Sequence, residues 1–486
     1  MKKYIFTVLA LVAVVTGCKK GFLTEEPHLA QSNVLTLSTF DGLDKATAGA
    51  YGPLASGNWY GAHFILDHEM KTMNGKRWGD KFEDYDSGRY TDQYAINYNP
   101  NNTSPLWGTA YYVIMAANSV IDKIDNPGET VYEASEQDLK NLKAECLFLR
   151  ALAHFDLVRV YAHPYNYTSD ASHFGVPVVT VPDSEATPPR ETAAKTYSSI
   201  IEWLTEAESI IDPDYQRGGC KDPKATANLE AIQALLARAY QYTGQWQKAA
   251  DYATKVINSG KFTMWTPEDL KDAACYRLDV PGKNTEVIFE VYVNTSQSYG
   301  GGNENVWGMT SYDCYGDCGA AQDVLDLYDQ GDVRSTLYSA DASGNALFTL
   351  KYFGKGLGTI DANNIIVLRL SEMYLIRAEA ALNGAKGDFN ATADLKTIAD
   401  NRGAKPSTSS KEGVYTELAK EFAWEAHLWF DLARTGRDMT RNDISGSVPK
   451  TLKAKDYRWA MPIPIREFNV NPSLKDQQNP GYNNNN

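Results

Sequence analysis

The sequence predicts a mainly α-helical fold: tetratricopeptide-type helix pairs form a scaffold, with long irregular loops and a few short strands packed on it. Three observations carry this. Apolar residues recur every three to four positions over most of the chain. Two segments, 225–260 and 366–399, repeat a helix–turn–helix pattern with small residues at the crossing and glycine at the turn. The stretches between are rich in glycine, asparagine and aromatic residues, and alternate like strands only briefly.

In chain order, the first element is not part of the fold. Lys2 and Lys3 precede an apolar run from Tyr4 to Val15, closed by Thr16-Gly17-Cys18. A cationic start, a short apolar core and a small-residue site make a secretory signal over residues 1–17. The run is shorter than the ~20 residues a permanent membrane span needs. A cysteine directly after small residues resembles a lipoprotein cleavage site, which would make Cys18 the lipid-bearing first residue. An ordinary secretory signal is the plainer alternative. Residues 18–36 lack periodicity and read as a tether; residues 37–486 read as one domain.

Helices are expected over 37–56, 107–124, 136–161 and 192–211, each from apolar residues at helical spacing. Residues 57–106 hold Trp59, Tyr60, Phe64, Trp78, Phe82, Tyr85, Tyr90, Tyr94 and Tyr98 among Gly, Asn and Asp, and read as one long structured loop. The loop 162–190 carries a strand-like Val176–Val181. Ala234 to Tyr240, Thr243-Gly244 and Trp246 to Ala253 form the clearer helix pair. Tyr374 to Ala380, Gly384 to Gly387 and Phe389 to Ile398 form the looser one. Between them, Glu286–Val293 alternates toward β structure. A second aromatic, glycine-rich loop follows, from Ser298 through Trp307 to Tyr315. A helix is expected over 413–434, and the dense prolines after Met461 imply an extended strap.

Composition narrows function. The whole chain carries a net charge of −14, and −16 once residues 1–17 are removed. This argues against nucleic acid or an anionic lipid surface as a partner. Beyond Cys18, five cysteines are loosely spaced. Cys314 and Cys318 are close enough to pair in an oxidising compartment, or to remain free. No cysteine or histidine pair stands at zinc-ligand spacing. Asp84-Tyr85-Asp86-Ser87-Gly88 opens like a calcium loop, but Ala95 stands where the bidentate Glu belongs. Gly354, Gly356 and Gly358 lack the Lys-Ser/Thr of a phosphate loop. Neither a metal nor a cofactor is expected.

Glu421 and Glu425, with His427 and Asp431 nearby, are the carboxylates that could serve a glycosidase. Their place on an amphipathic helix favours a structural role. What remains is binding. Tyr and Trp offer a flat apolar face with a polar edge, and Asn, Asp and Arg reach hydroxyls. The two aromatic loops supply these types: Arg77, Trp78, Asp80 and Tyr85 in the first, and Tyr299, Asn303, Trp307, Tyr312, Asp313 and Tyr315 in the second. Trp78 and Trp307 stand first among them, because tryptophan anchors dominate many binding surfaces.

The order of motifs resembles the SusD/RagB family of outer-membrane lipoproteins over some 460 residues. It runs through Cys18, Trp107 with Tyr111 and Asn118, Phe148 to Ala151, Phe155 to Arg159, Ala234 to Gly244 and Glu286 to Glu290. It continues through Asp332 with Arg334, Arg369 to Glu372, Arg377 to Ala380, Trp429 to Leu432, Pro462 to Pro464 and Gln478 to Tyr482. The resemblance implies a cell-surface, lipid-anchored, non-catalytic protein. Such a protein binds a nutrient, most often a glycan and alternatively a peptide, and caps a TonB-dependent transporter. It assigns no ligand contact, because the family's binding loops vary. Lys19 and Lys20 depart from the acidic residues common after the lipid cysteine, which bears on the face of the outer membrane reached. Leu418, Phe422, Ala426 and Leu428 stand for a usual Arg, Leu, Gly and basic residue, which implies apolar packing in place of a buried ion pair.

Overall fold

The computed structural model describes residues 37–78, 87–220, 222–276, 284–293, 304–341, 344, 346–352 and 363–482. The signal segment, the tether and Cys18 lie outside them.

Helix α1 (Phe40–Tyr51) starts where the Thr39 hydroxyl accepts the Gly42 amide. Helix α2 (His63–Glu69) follows, then strand β1 (Gly75–Arg77) and helix α3 (Leu106–Asp125). The central post is α4 (Glu136–Tyr161), opened by a capping box between Ser135 and Asp138. Every residue of α4 from Ala144 to Tyr161 is buried, so it has no polar face. Its two buried carboxylates are each matched by several donors. Glu145 accepts from Tyr51, Tyr215 and Arg217; Asp156 accepts from Trp59, Tyr60 and Arg159.

Helix α4 packs on both α3 and α5 (Ala193–Ile210), and α5 packs on α6 (Leu229–Tyr242). Helix α6 pairs with α7 (Trp246–Asn258) through a turn at Gly244, which has the positive φ (69°) of a left-handed cap. After strand β2 (Val287–Val291), short helix α8 (Val306–Thr310), strands β3 (Cys318–Ala320), β4 (Tyr338–Ala340), β5 (Leu347–Thr349) and β6 (Ile365–Arg369), the second pair begins. It comprises α9 (Leu370–Leu382) and α10 (Ala391–Asp400). The two pairs are distant in sequence but adjacent in space. Helix α7 lies against α9, where Ala250, Ala380 and Ala385 meet under Trp246 and Phe389. Small side chains allow that close approach, so 259–369 is an excursion from a continuous helical stack.

Strands β2 and β6 pair antiparallel, from Val287 opposite Arg369 to Val291 opposite Ile365. A second sheet has the order β1-β3-β5-β4. The segment expected as a single helix over 413–434 is two, α11 (Lys411–Glu421) and α12 (Leu428–Thr435), followed by the two-residue strands β7 (Met439–Thr440) and β8 (Thr451–Leu452). The break at 422–427 holds Trp424 and Ala426 at φ of 67° and 59°. Ala426 stands where the family resemblance expects glycine, and its backbone shows why glycine suits that position.

Three further expectations are corrected. Residues 57–106 are not one irregular loop, since α2, β1 and a turn of helix at Thr91–Ala95 lie within them. Val176–Val181 is not a strand. Pro177 removes a donor, and the only ladder-like contact there is an isolated bridge between Phe174 and Thr192. Apolar packing has not replaced the buried ion pair. Leu418 is apolar and buried, but Glu417 and Glu421 draw arginines from elsewhere. Arg334 donates to both, and Arg369 and Arg402 donate to Glu421 and to Glu286. Arg369 also reaches Glu425, which Lys351 contacts at 2.6 Å.

The C-terminal strap holds the end of α4. The Met461 amide donates to the Val160 carbonyl at 2.8 Å, and Asn479 Nδ2 to the Tyr161 carbonyl at 2.8 Å. Arg190 reaches the same Tyr161 carbonyl, so the last carbonyls of α4 find partners. The strap includes a short helix, Ile465–Val470, after Pro464, and a further helical turn at Pro472–Leu474.

Candidate functional site

Strand pairing joins the two aromatic segments. Arg77, Lys76 and Gly75 of β1 stand opposite Cys318, Gly319 and Ala320 of β3. The Trp78 ring lies directly on Gly319, where a Cβ would come within 1.9 Å of Trp78 Cδ1. Only glycine fits there. The Trp78 amide donates to the Asp317 carbonyl at 3.1 Å, and Ser87 Oγ to Asp317 Oδ1 at 2.6 Å. On the other side, the Val306 amide donates to the Gly61 carbonyl at 2.9 Å.

An open cleft of about 350 Å³ lies where these segments meet. Ser56, Gly57 and Asn58 line it from the end of the α1 region, and His63 from α2. Arg89, Tyr90 and Gln93 come from the first aromatic segment, and Glu304 and Met309 from the second. Arg89 is the junction. Its Nε and Nη2 donate to Glu304 Oε1 at 3.2 and 2.9 Å, and its guanidinium stacks 4.2 Å from the centre of the Tyr315 ring. Its Nη1 lies 3.8 Å from Asp317 Oδ2. His63 Nδ1 lies 3.0 Å from Oδ1 of the fully buried Asp67. Burial acts to lower the His63 pKa, but the Asp67 carboxylate, helped by Glu304, outweighs it and raises the pKa above the ordinary imidazole value. Tyr90, with φ of 55°, packs its ring 5.6 Å from that of His63.

Of the residues chosen from sequence, Arg77 sits behind the cleft, with Nε on the Arg89 carbonyl. Trp78 is half-buried beneath Lys76 Nζ, 4.5 Å from its ring. Tyr312 (41% exposed) and Tyr315 (37%) present rings to solvent, and Asp313 is exposed. Trp307 is corrected. At 7% exposure it is a core residue of α8 that pins its own loop, and the void beside it is only about 20 Å³. That volume suits a single water. Cys314 and Cys318 are not joined in a disulfide. Cys318 is buried in β3 and Cys314 lies on the turn before it, so no bridge is made. Asp80, Tyr85, Tyr299 and Asn303 lie outside the described residues. Asn58, His63, Arg89, Tyr90, Gln93, Glu304 and Met309 were not among the candidates from sequence. A signal for one of them was present, in His63 standing four residues before Asp67 on one helical face.

The carboxylates considered for glycosidase chemistry are locked. Burial acts to raise the Glu421 pKa, but Arg402, Arg369 and Arg334 hold it well below the ordinary carboxylate value. Arg369 and Lys351 likewise lower the Glu425 pKa against the opposing effect of burial. An acid held ionised in this way cannot donate a proton to a leaving group. Neither residue lines the cleft.

Comparisons with known proteins bear on the family and the fold. A family model described as starch-binding and associating with the outer membrane matches residues 21–241, and a model of the SusD family matches residues 345–482. The SusD-like protein P2 of Formosa agariphila is 24% identical over 99% of this chain and 100% of its own. A SusD superfamily protein from Bacteroides vulgatus has a solved structure similar at TM-score 0.80 and 28% identity, covering 92% of this chain and 99% of that one. The surface glycan-binding protein A of Bacteroides fluxus shares the fold at TM-score 0.73 and 21% identity, over 90% of this chain and 99% of its own.

Proposed function

Because the chain belongs to the SusD/RagB family, we propose that it binds an oligosaccharide or polysaccharide at the cleft around Arg89 and delivers it, unaltered, to a TonB-dependent outer-membrane transporter. On this reading residues 1–17 are removed, and Cys18 carries the lipid that holds the domain to the outer membrane, facing the exterior, with residues 18–36 as the leash. No helix among the described residues is long and apolar enough to cross a membrane, so a lipid is the attachment this reading uses.

The observation that carries it is the composition of the cleft. Arg89 joins an aromatic ring (Tyr315), an exposed carboxylate (Glu304) and a wall of amide and hydroxyl groups. Flat rings suit the C–H faces of sugars, and the fixed polar groups suit their hydroxyls. Tyr312, Asp313 and Tyr315 extend the surface beside the cleft, and Trp78 braces it. Binding sugars also occurs among proteins of this shape, as the name of the Bacteroides fluxus protein states. Calorimetric titration of the mature chain against oligosaccharides and peptides tests the reading. Saturable heat with at least one oligosaccharide, without release of reducing ends, is the expected result. Binding of peptides alone, or hydrolysis of a polysaccharide, would overturn it.

A further inference from the structure

The cleft is short of usable positive charge. Among the described residues that line it, Arg89 is the one permanent cation. That guanidinium spends two donors on Glu304, faces Asp317 with a third and has one face covered by Tyr315. The other basic group, His63, is held against the buried Asp67. Arg77 lies behind Arg89 with its Nε engaged, and does not line the cleft. At most two cationic groups of the lining therefore face three carboxylates: Asp67, Glu304 and Asp317.

Glu304 keeps one carboxylate oxygen uncommitted. Its side chain is 54% exposed, and Arg89 occupies only Oε1. A carboxylate accepts but does not donate, and it makes short, strong hydrogen bonds with hydroxyls. An adjacent pair of sugar hydroxyls fits it. A second carboxylate or a sulfate does not, because like charges repel and the cations among the described lining residues, Arg89 and His63, are already paired, so neither offsets the loss of their hydration.

We propose that this cleft selects uncharged, polyhydroxylated ligands, neutral glycans, and rejects those bearing uronate or sulfate groups, with Glu304 as the discriminating acceptor. The proposal rests on the glycan-binding reading given above.

Affinity electrophoresis of the mature chain tests it. The probes are starch, xyloglucan, galactomannan and arabinan as neutral polymers, and polygalacturonate, alginate and chondroitin sulfate as anionic ones. At least one neutral polymer is expected to retard the protein, in a way that added salt leaves unchanged, and no anionic polymer is expected to do so. Glu304→Gln is expected to weaken the neutral interaction about tenfold, as for loss of one charge-assisted hydrogen bond. It also frees Arg89 and thereby narrows the gap between neutral and anionic probes. Retardation by an anionic polymer in preference to all neutral ones would overturn the selectivity while leaving glycan binding intact. Unchanged neutral affinity in Glu304→Gln would remove Glu304 from the role. Failure of all seven polymers would overturn the glycan reading itself, and this inference with it.

Discussion

Single residues show why a site can be half legible in a sequence. Trp78 and Trp307 look alike as tryptophans in glycine-rich stretches. One braces a sheet edge against Gly319, and the other is buried in the core. Exposure is a property of tertiary packing, so residue type alone could not separate them. Arg89 was overlooked for the converse reason. Its importance comes from Tyr315 and Glu304, more than two hundred positions away. Arg89→Ala is therefore expected to weaken glycan binding by at least about tenfold, since a central Arg stacked on an aromatic ring is a typical hot spot. The thermal midpoint should move little; calorimetry beside a melting curve checks both. Lys71 makes a different prediction. It is fully buried between the rings of Trp429 and Tyr98, at 4.5 and 5.1 Å, and its Nζ has no hydrogen-bond partner. Burial pushes its pKa down to about 7. A shift of that size represents about 5 kcal/mol, and attraction to the rings recovers about 2 kcal/mol. In the unfolded chain the amine titrates near 10.4. The cost of burying the charge is therefore full below pH 7 and fades as pH rises toward 10. Lys71→Met is expected to stabilise the protein by about 1–3 kcal/mol at pH 6, with the gain shrinking by pH 9, as urea midpoints at the two pH values would report.

At the scale of elements, periodicity served where helices are long and one-sided, and failed where the backbone leaves the regular regions. The 136–161 helix is as expected because its cap, Ser135 with Asp138, and its length are local features. The 413–434 segment kept helical spacing through a break that spacing cannot reveal. Two non-glycine residues in left-handed conformation turn the chain, and the Ala426 amide is held by Glu69 Oε1 at 2.6 Å. The two helix pairs were legible as motifs. Their contact across Ala250 and Ala380 was not, because no local signal says that 259–369 loops away and returns. Ala426→Gly tests the turn. A side chain in the left-handed region costs about 1–2 kcal/mol. Glycine returns about 0.4–1 kcal/mol of that as added freedom of the unfolded chain. A net stabilisation of about 0.5–1 kcal/mol is expected from the difference, read as a rise in urea midpoint with an unchanged slope. A loss of stability would mean that the Ala426 methyl packs usefully in the core.

For the whole molecule, the buried ion network decides how the parts hold together. Glu286 precedes β2, Arg369 ends β6, Arg402 follows α10, Arg334 lies before β4, and Glu417, Glu421 and Glu425 come from α11 and the turn after it. The network thus fastens the excursion between the helix pairs to the C-terminal helices. Removing one member leaves charges buried without partners. Such a loss costs about 3–5 kcal/mol. Glu421 stands at the centre, between Arg334, Arg369 and Arg402. Its carboxylate has a folded pKa below its unfolded one, despite the opposing effect of burial. Its contribution is therefore fully present above the unfolded value of about 4.3, and is lost as pH falls from there through the folded value. Glu421→Gln should lower stability at pH 7 by about 3–5 kcal/mol. The difference between the variant and the native sequence should narrow as pH drops below about 4, where the unfolded chain takes up the proton that folded Glu421 still refuses. Urea denaturation of both proteins at pH 7, 5 and 3.5 measures that narrowing. A constant difference across the three pH values would mean that Glu421 acts through packing and neutral hydrogen bonds, and that the charge itself contributes nothing to holding the two regions together.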